Sequence, residues 1–194
     1  MIIGITGGTG CGKTTLLKEL EKLGAKILDC DRIYHDLLTT DQALLDTIET
    51  RFPGTVENGR LQRKKLGNIV FNDPQALQDL NAITHTAIKA EVIRQLTGTP
   101  FAAIDAIALF ESGLSDLCDI TVAVTAPVET RIARLISRDG ITREYAQNRI
   151  DAQPSETWFR QNCDYTLEND GDIPSFQSKC LAFFRDSGII KAHL

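Results

Sequence analysis

The opening stretch M-I-I-G-I-T-G-G-T-G-C-G-K-T-T constrains this chain more than any other. Met1 to Ile5 is mostly apolar and reads as a short buried strand. A glycine-dense turn follows it, and then a helix begins. The turn carries G-x-x-x-x-G-K-T as Gly7, Gly12, Lys13 and Thr14, with Gly8 and Gly10 as additional glycines. Glycines leave room and accept positive φ, so consecutive backbone N–H groups can ring an anion. The N-terminus of the following helix adds partial positive charge. Lys13 brings a full charge that can reach the β- and γ-phosphates of a nucleotide, and the Thr14 hydroxyl is a hard oxygen ligand suited to Mg²⁺. Cys11, inside the loop, reads as a small filler rather than a reactive thiol.

A length of 194 residues suits one α/β domain with a helical insertion and a sizeable core. A net charge of −5 argues against non-specific nucleic-acid binding. Cys11, Cys30, Cys118, Cys163 and Cys180 are scattered, odd in number and free of C-x-x-C pairs. That pattern suits reduced thiols in a cytoplasmic protein. Neither a secretory leader nor a membrane-length apolar run is expected.

Lys13 to Leu23 has helical periodicity stopped by Gly24, and Lys26 to Leu28 is a second strand ending in Asp29-Cys30-Asp31. On a strand, residues i and i+2 share a side, so this D-x-D presents two carboxylates where an open α/β sheet binds ligands. One of them could accept a proton from a substrate hydroxyl or hold Mg²⁺ through water. The alternative is that Asp31 only caps the next helix, 32–38. Residues 41–99 read as all-helical, with helices over 41–51, 61–71 and 74–96, the last burying Leu77, Leu80, Ile83, Ile88 and Ile93. Arg63 and His85 are the suggestive residues of this lobe, against a solvated face for the former and a structural histidine for the latter. Phe101 to Leu109 reads as a third strand with Asp105 in its middle, a costly place for a carboxylate without a partner. Glu111 ends that segment, a site residue or a plain surface acid.

Ile120 to Val124 is a fourth strand. The helix 128–138 carries Arg131, Arg134 and Arg138 on one face, either salt-bridged in solvent or turned toward phosphates. A second Arg-bearing helix, 143–151, follows, then a short fifth strand, 165–167, and a closing helix, 173–187. Strands alternating with helices predict a doubly wound parallel sheet. The Arg-rich hairpin before the last strand has the placement of a lid.

The pattern resembles the dephospho-CoA kinase family over nearly the whole chain. The resemblance rests on Thr6-Gly7-Gly8-Thr9-Gly10-Cys11-Gly12-Lys13-Thr14, on Asp29-Cys30-Asp31, and on the Leu61/Arg63/Leu66/Val70/Phe71 segment. It also rests on Leu80-Asn81-Ala82-Ile83-Thr84-His85, Asp105 to Glu111, Arg138-Asp139, Arg149-Ile150-Asp151-Ala152-Gln153, and Leu167-Glu168-Asn169-Asp170-Gly171. Thr86 stands where the family has a proline after the histidine, and the proline of its P-L-L-F-E is absent here.

The resemblance implies a P-loop NTPase-type α/β fold with a five-stranded doubly wound parallel sheet. The core would cover about 1–40, 100–137 and 161–194, a helical substrate lobe about 41–99, and a lid about 138–160. It implies transfer of a phosphoryl group from ATP to the ribose 3′-hydroxyl of dephospho-CoA, with Mg²⁺ on Thr14. Asp31 would be the base, with Lys13 and Arg138 completing the catalytic set. Gly8, Gly10, Cys11, Gly12, Lys13, Thr14, Thr15 and Arg138 would hold ATP, with Asn169 and Gly171 near its adenine. Asp31, Arg63, His85, Glu111 and Arg149 would contact the acceptor. Small molecules are the expected partners of a chain acting alone in the cytoplasm, with neither nucleic acid nor membrane. The rival readings are a P-loop kinase acting on a nucleoside or nucleotide, and a non-catalytic nucleotide switch.

Overall fold

A computed structural model describes residues 1–189, so the final stretch of the expected core, 190–194, lies outside the described residues. Five parallel strands form the sheet: β1 (Ile2–Thr6), β2 (Lys26–Asp29), β5 (Ala102–Asp105), β6 (Ile120–Thr125) and β7 (Tyr165–Glu168), in the spatial order β2-β5-β1-β6-β7. With β1 central, the chain leaves it toward β2 on one side and reaches β6 and β7 on the other. The loop after β1 therefore opens at the crevice where such sheets take ligands.

Helices cover both faces. On one face α1 (Lys13–Lys22) and α9 (Ile173–Asp186) pack Leu16, Leu20, Phe176 and Phe184 against Ile3, Ile5, Val122 and Val124. On the other, α2 (Cys30–Thr40) and the long α5 (Pro74–Leu96) cover Leu28 and Ile104. Strands buried on both faces read as near-continuous apolar runs, which is why β1 and β6 were legible. The lobe between β2 and β5 adds α3 (Gln42–Arg51), a hairpin of β3 (Val56–Glu57) and β4 (Arg60–Leu61), and α4 (Arg63–Val70) around Leu45, Ile48 and Phe52. Between β6 and β7 come α6 (Val128–Asp139), α7 (Arg143–Asp151) and α8 (Glu156–Asn162).

Three expectations are corrected. The lobe is not all-helical. Asn58 (φ 53°) and Gly59 (φ 70°) are both left-handed, the two-residue turn that closes a tight antiparallel hairpin. The third strand stops at Asp105 instead of running to Leu109. Beyond it the chain turns so that Leu109 drops into the core against Gly4, where an added Cβ would sit 2.9 Å from Leu109 Cδ2. Asp105 thus ends its strand rather than interrupting it. Finally, Leu77 and Ile93 of α5 are exposed. The helix serves two cores in succession, Ala76, Leu80 and Ile83 in the lobe and Ile88, Val92 and Leu96 under the sheet, so no single stripe describes it.

Candidate active site

The loop between β1 and α1 is held open by its glycines. Gly7 has φ 132°, and an added Cβ would lie 2.2 Å from the Val124 carbonyl oxygen; Gly12 has φ 96° and caps α1 in the left-handed region. Gly8, Gly10, Gly12, Lys13 and Thr14 border a cavity of about 710 Å³. Lys13 Nζ lies over the loop, donating to the Gly7 carbonyl at 2.8 Å. Thr15 is set back in the first turn of α1, its N–H on the Gly12 carbonyl. Cys11 is buried; burial pushes its thiol up, against the opposing pull of Arg131 and Lys13. It is a filler, and only its backbone serves the loop.

Asp29, Asp31 and Asp105 gather at the carboxyl ends of β2 and β5, with Asp29 in register with Asp105. The expectation that Asp29 and Asp31 share one strand side is corrected. The strand ends at Asp29, and Cys30, buried in the core, already opens α2. Asp29 is the helix cap, accepting from the Arg32 N–H at 3.0 Å. Asp31, released from capping, borders the cavity with Lys13 and Thr14. Asp105 borders it too. Its Oδ1 is buried without a hydrogen-bond partner, and burial pushes its carboxyl up to about 6, opposed by Lys13 and reinforced by Asp29 and Asp31.

The Arg face of α6 does meet the loop, though not uniformly. Arg134 donates to the carbonyls of Gly10 (3.2 Å) and Cys11 (3.4 Å) and to Asn169 Oδ1 (3.1 Å). Arg138 and Arg149 border the cavity and share one carboxylate: Arg138 donates to Asp139 at 2.7 and 3.0 Å, and Arg149 at 2.8 Å. The hydrogen bonds from Arg138 and then Arg149, with their charges behind them, hold Asp139 down at about 2. Asn169 is tied to the loop and to β6 by its own hydrogen bonds. It is buried behind the loop, where its amide donates to the Cys11 carbonyl at 2.8 Å and its backbone N–H to Thr125 at 2.8 Å. Gly171 stands beside it and offers its carbonyl to Arg134 at 3.5 Å. Neither borders the cavity.

Among the expected acceptor contacts, His85 and Asp31 border one small cavity of about 200 Å³ together with Tyr34. His85 and Glu111 border a second, shallower one with Lys89. Burial holds His85 below its ordinary pKa, and Glu111 pulls it back up. Arg63 is not with them. It donates to His35 Nδ1 at 2.9 Å, close enough to Tyr34 to oppose the burial that raises that phenol. Sequence reasoning missed Asp139 as the bridge between two arginines, Tyr34 as a cavity wall, and Gln153, whose Oε1 accepts from the Thr9 N–H at 2.8 Å. Only Gln153 and Asp139 had left a signal, as members of the R-I-x-x-Q and R-D motifs.

The CoaE dephospho-CoA kinase family model matches residues 1–175. A dephospho-CoA kinase of Carboxydothermus hydrogenoformans is 35% identical over 191 residues, covering 95% of this chain and 93% of that protein. The crystal structure of TT1252 from Thermus thermophilus superposes with a TM-score of 0.80 at 31% identity, covering 96% of this chain and 97% of that one. Dephospho-CoA kinase from Campylobacter jejuni superposes with a TM-score of 0.70 at 25% identity, covering 100% and 98%. Motifs, fold and relatives agree: this chain belongs to the dephospho-CoA kinase family.

Proposed function

We propose that this chain transfers the γ-phosphoryl group of ATP to the ribose 3′-hydroxyl of dephospho-CoA. The observation that carries the reading is that one cavity is bordered by the glycine loop, Lys13, Thr14, Asp31, Arg138 and Arg149 together. Phosphoryl transfer needs in-line positioning, charge neutralisation and a group that takes the acceptor's proton. The backbone N–H groups of Gly8, Gly10, Cys11 and Gly12, with Thr15 behind them, would cradle the phosphates, and Lys13 would neutralise them. Arg138 would take up charge developing on the transferred group, after exchanging Asp139 for phosphate. Asp31 would accept the proton of the hydroxyl.

His85, Glu111 and Arg149 would contact the acceptor, with Arg63 behind Tyr34. Asn169 and Gly171 would serve ATP indirectly, by holding the loop. The lobe 41–99 would carry the acceptor, the segment 138–160 would act as the lid, and the remainder as the core.

Mg²⁺ fits this site. The Thr14 hydroxyl is exposed at the cavity, and Asp105 brings to the same cavity a carboxylate with a buried, unpartnered oxygen. Thr14 would hold the ion, with Asp105 as a neighbouring anion; Mg²⁺ commonly takes few protein ligands and completes its shell with water and phosphates. When bound, it supplies charge neutralisation between the phosphates. Five free thiols suit a reducing cytoplasm as the place of action, and among the described residues no helix is long and apolar enough to cross a membrane. A coupled ADP-release assay over an acceptor panel tests the reading. Dephospho-CoA should support turnover, and a nucleoside turned over in its place would overturn the reading.

A further inference from the structure

Arg131 is buried, at 8% exposure, in the first half of α6. Its guanidinium is held by neutral oxygens: Nε donates to the Thr9 carbonyl at 2.9 Å, and Nη2 to Gln153 Oε1 at 3.0 Å. The same Gln153 oxygen accepts the Thr9 N–H, so both polar groups of one loop peptide position are committed to this pair. Among the described residues Arg131 makes no ion pair. Two acids border the same 320 Å³ cavity behind the loop, but each is engaged elsewhere: Asp151 accepts from Gln147 at 2.8 Å, and Glu156 from Arg160 at 2.5 Å. A buried cation without a counter-charge is costly and points to an anion that arrives later. Gly8 is a glycine partly for this reason, since an added Cβ would sit 2.2 Å from Arg131 Nη2. The guanidinium thus lies directly against the back of the phosphate loop, and its field already reaches Cys11.

We propose that Arg131 is a positioning residue for ATP. It fixes Thr9 from behind the loop and places there a positive charge that the triphosphate balances, while Gln153 ties this arrangement to the end of α7. The inference rests on reading the loop as the ATP cradle. The cavity in front of the loop is not involved, because Arg131 acts through the peptide between them.

The discriminating variant is Gln153→Glu. It keeps an acceptor for both Thr9 N–H and Arg131 but gives Arg131 a carboxylate. Arg131→Gln removes the charge and keeps a donor. Calorimetric titration with MgATP, steady-state kinetics and melting of the nucleotide-free protein would be run on both variants and on wild type. Gln153→Glu should melt at or above the wild-type temperature yet bind MgATP about tenfold more weakly, with the loss in KM for ATP rather than in kcat. Arg131→Gln should weaken MgATP to a similar degree. A purely structural clamp would leave MgATP affinity unchanged in Gln153→Glu, and that result overturns the proposal even if Arg131→Gln fails to fold. Failure of wild type itself to bind MgATP would instead overturn the cradle reading.

Discussion

Replacing Asn169 by alanine separates two roles for that residue. As an adenine contact, its loss would weaken ATP and leave the free protein's stability alone. As a brace behind the loop, its loss would strike the free protein first. The structure allows the magnitude to be worked out. Its amide donates to the buried Cys11 carbonyl at 2.8 Å, a neutral bond worth about 0.5–1.5 kcal/mol. Its oxygen accepts from Arg134 at 3.1 Å, a bond to a charged group worth about 1.5–3 kcal/mol when buried. Arg134 is only half-buried and keeps its loop carbonyls, so the lower part of that range applies. The sum is roughly 2–4 kcal/mol. For a domain of this size that is a melting temperature lower by about 4–16 °C. Differential scanning calorimetry without nucleotide reads it directly. A shift below about 2 °C, paired with a weakened ATP affinity, would refute the brace and restore the adenine contact.

Three further outcomes are expected. Lys13→Ala should lower kcat by about 10²–10³, as removal of one preorganised charge donor does, and near-normal turnover would reject the role given to Lys13. Asp31→Asn should remove most turnover while ATP still binds; weaker ATP binding with turnover per bound ATP preserved would make Asp31 a structural or metal residue instead. Asp105→Asn, melted with a chelator present, should be more stable than wild type above pH 6, by about 1–2 kcal/mol once its partial exposure is allowed for. Burial holds the folded-state carboxyl at about 6 rather than 3.8, so between those values the folded protein keeps a proton that the unfolded chain has lost. Wild-type stability from this group therefore falls as pH rises through that window. The advantage of the variant should vanish below about pH 4, and a difference that ignores pH would contradict the burial argument.

Much of the scaffold could be read in advance because its signals are local. The glycine loop and the apolar strands β1 and β6 each follow from a few neighbouring residues. What escaped was decided at a distance. The third strand ends early because Leu109 finds a place against Gly4, a contact across two strands of the sheet. Helix α5 defeats a single-stripe reading because its two halves face different cores. Asp29 rather than Asp31 caps α2 because Cys30 is drawn into the core. The motif around Asn169 does not show its partner within the protein, a carbonyl 158 positions away in sequence. The pairing of Arg138 and Arg149 on Asp139 likewise needs the α6–α7 turn, which spacing does not specify.

The double duty of α5 bears on how this protein can be recombined. An engineer wishing to exchange acceptor preference would cut at the lobe's sequence limits and transplant the insert as a cassette. Such a cut removes Ile88, Val92 and Leu96, and with them the cover over Leu28 and Ile104. Exchange junctions placed ahead of Ile88 would leave that roof on the sheet, so the portable unit is shorter than the insertion it belongs to.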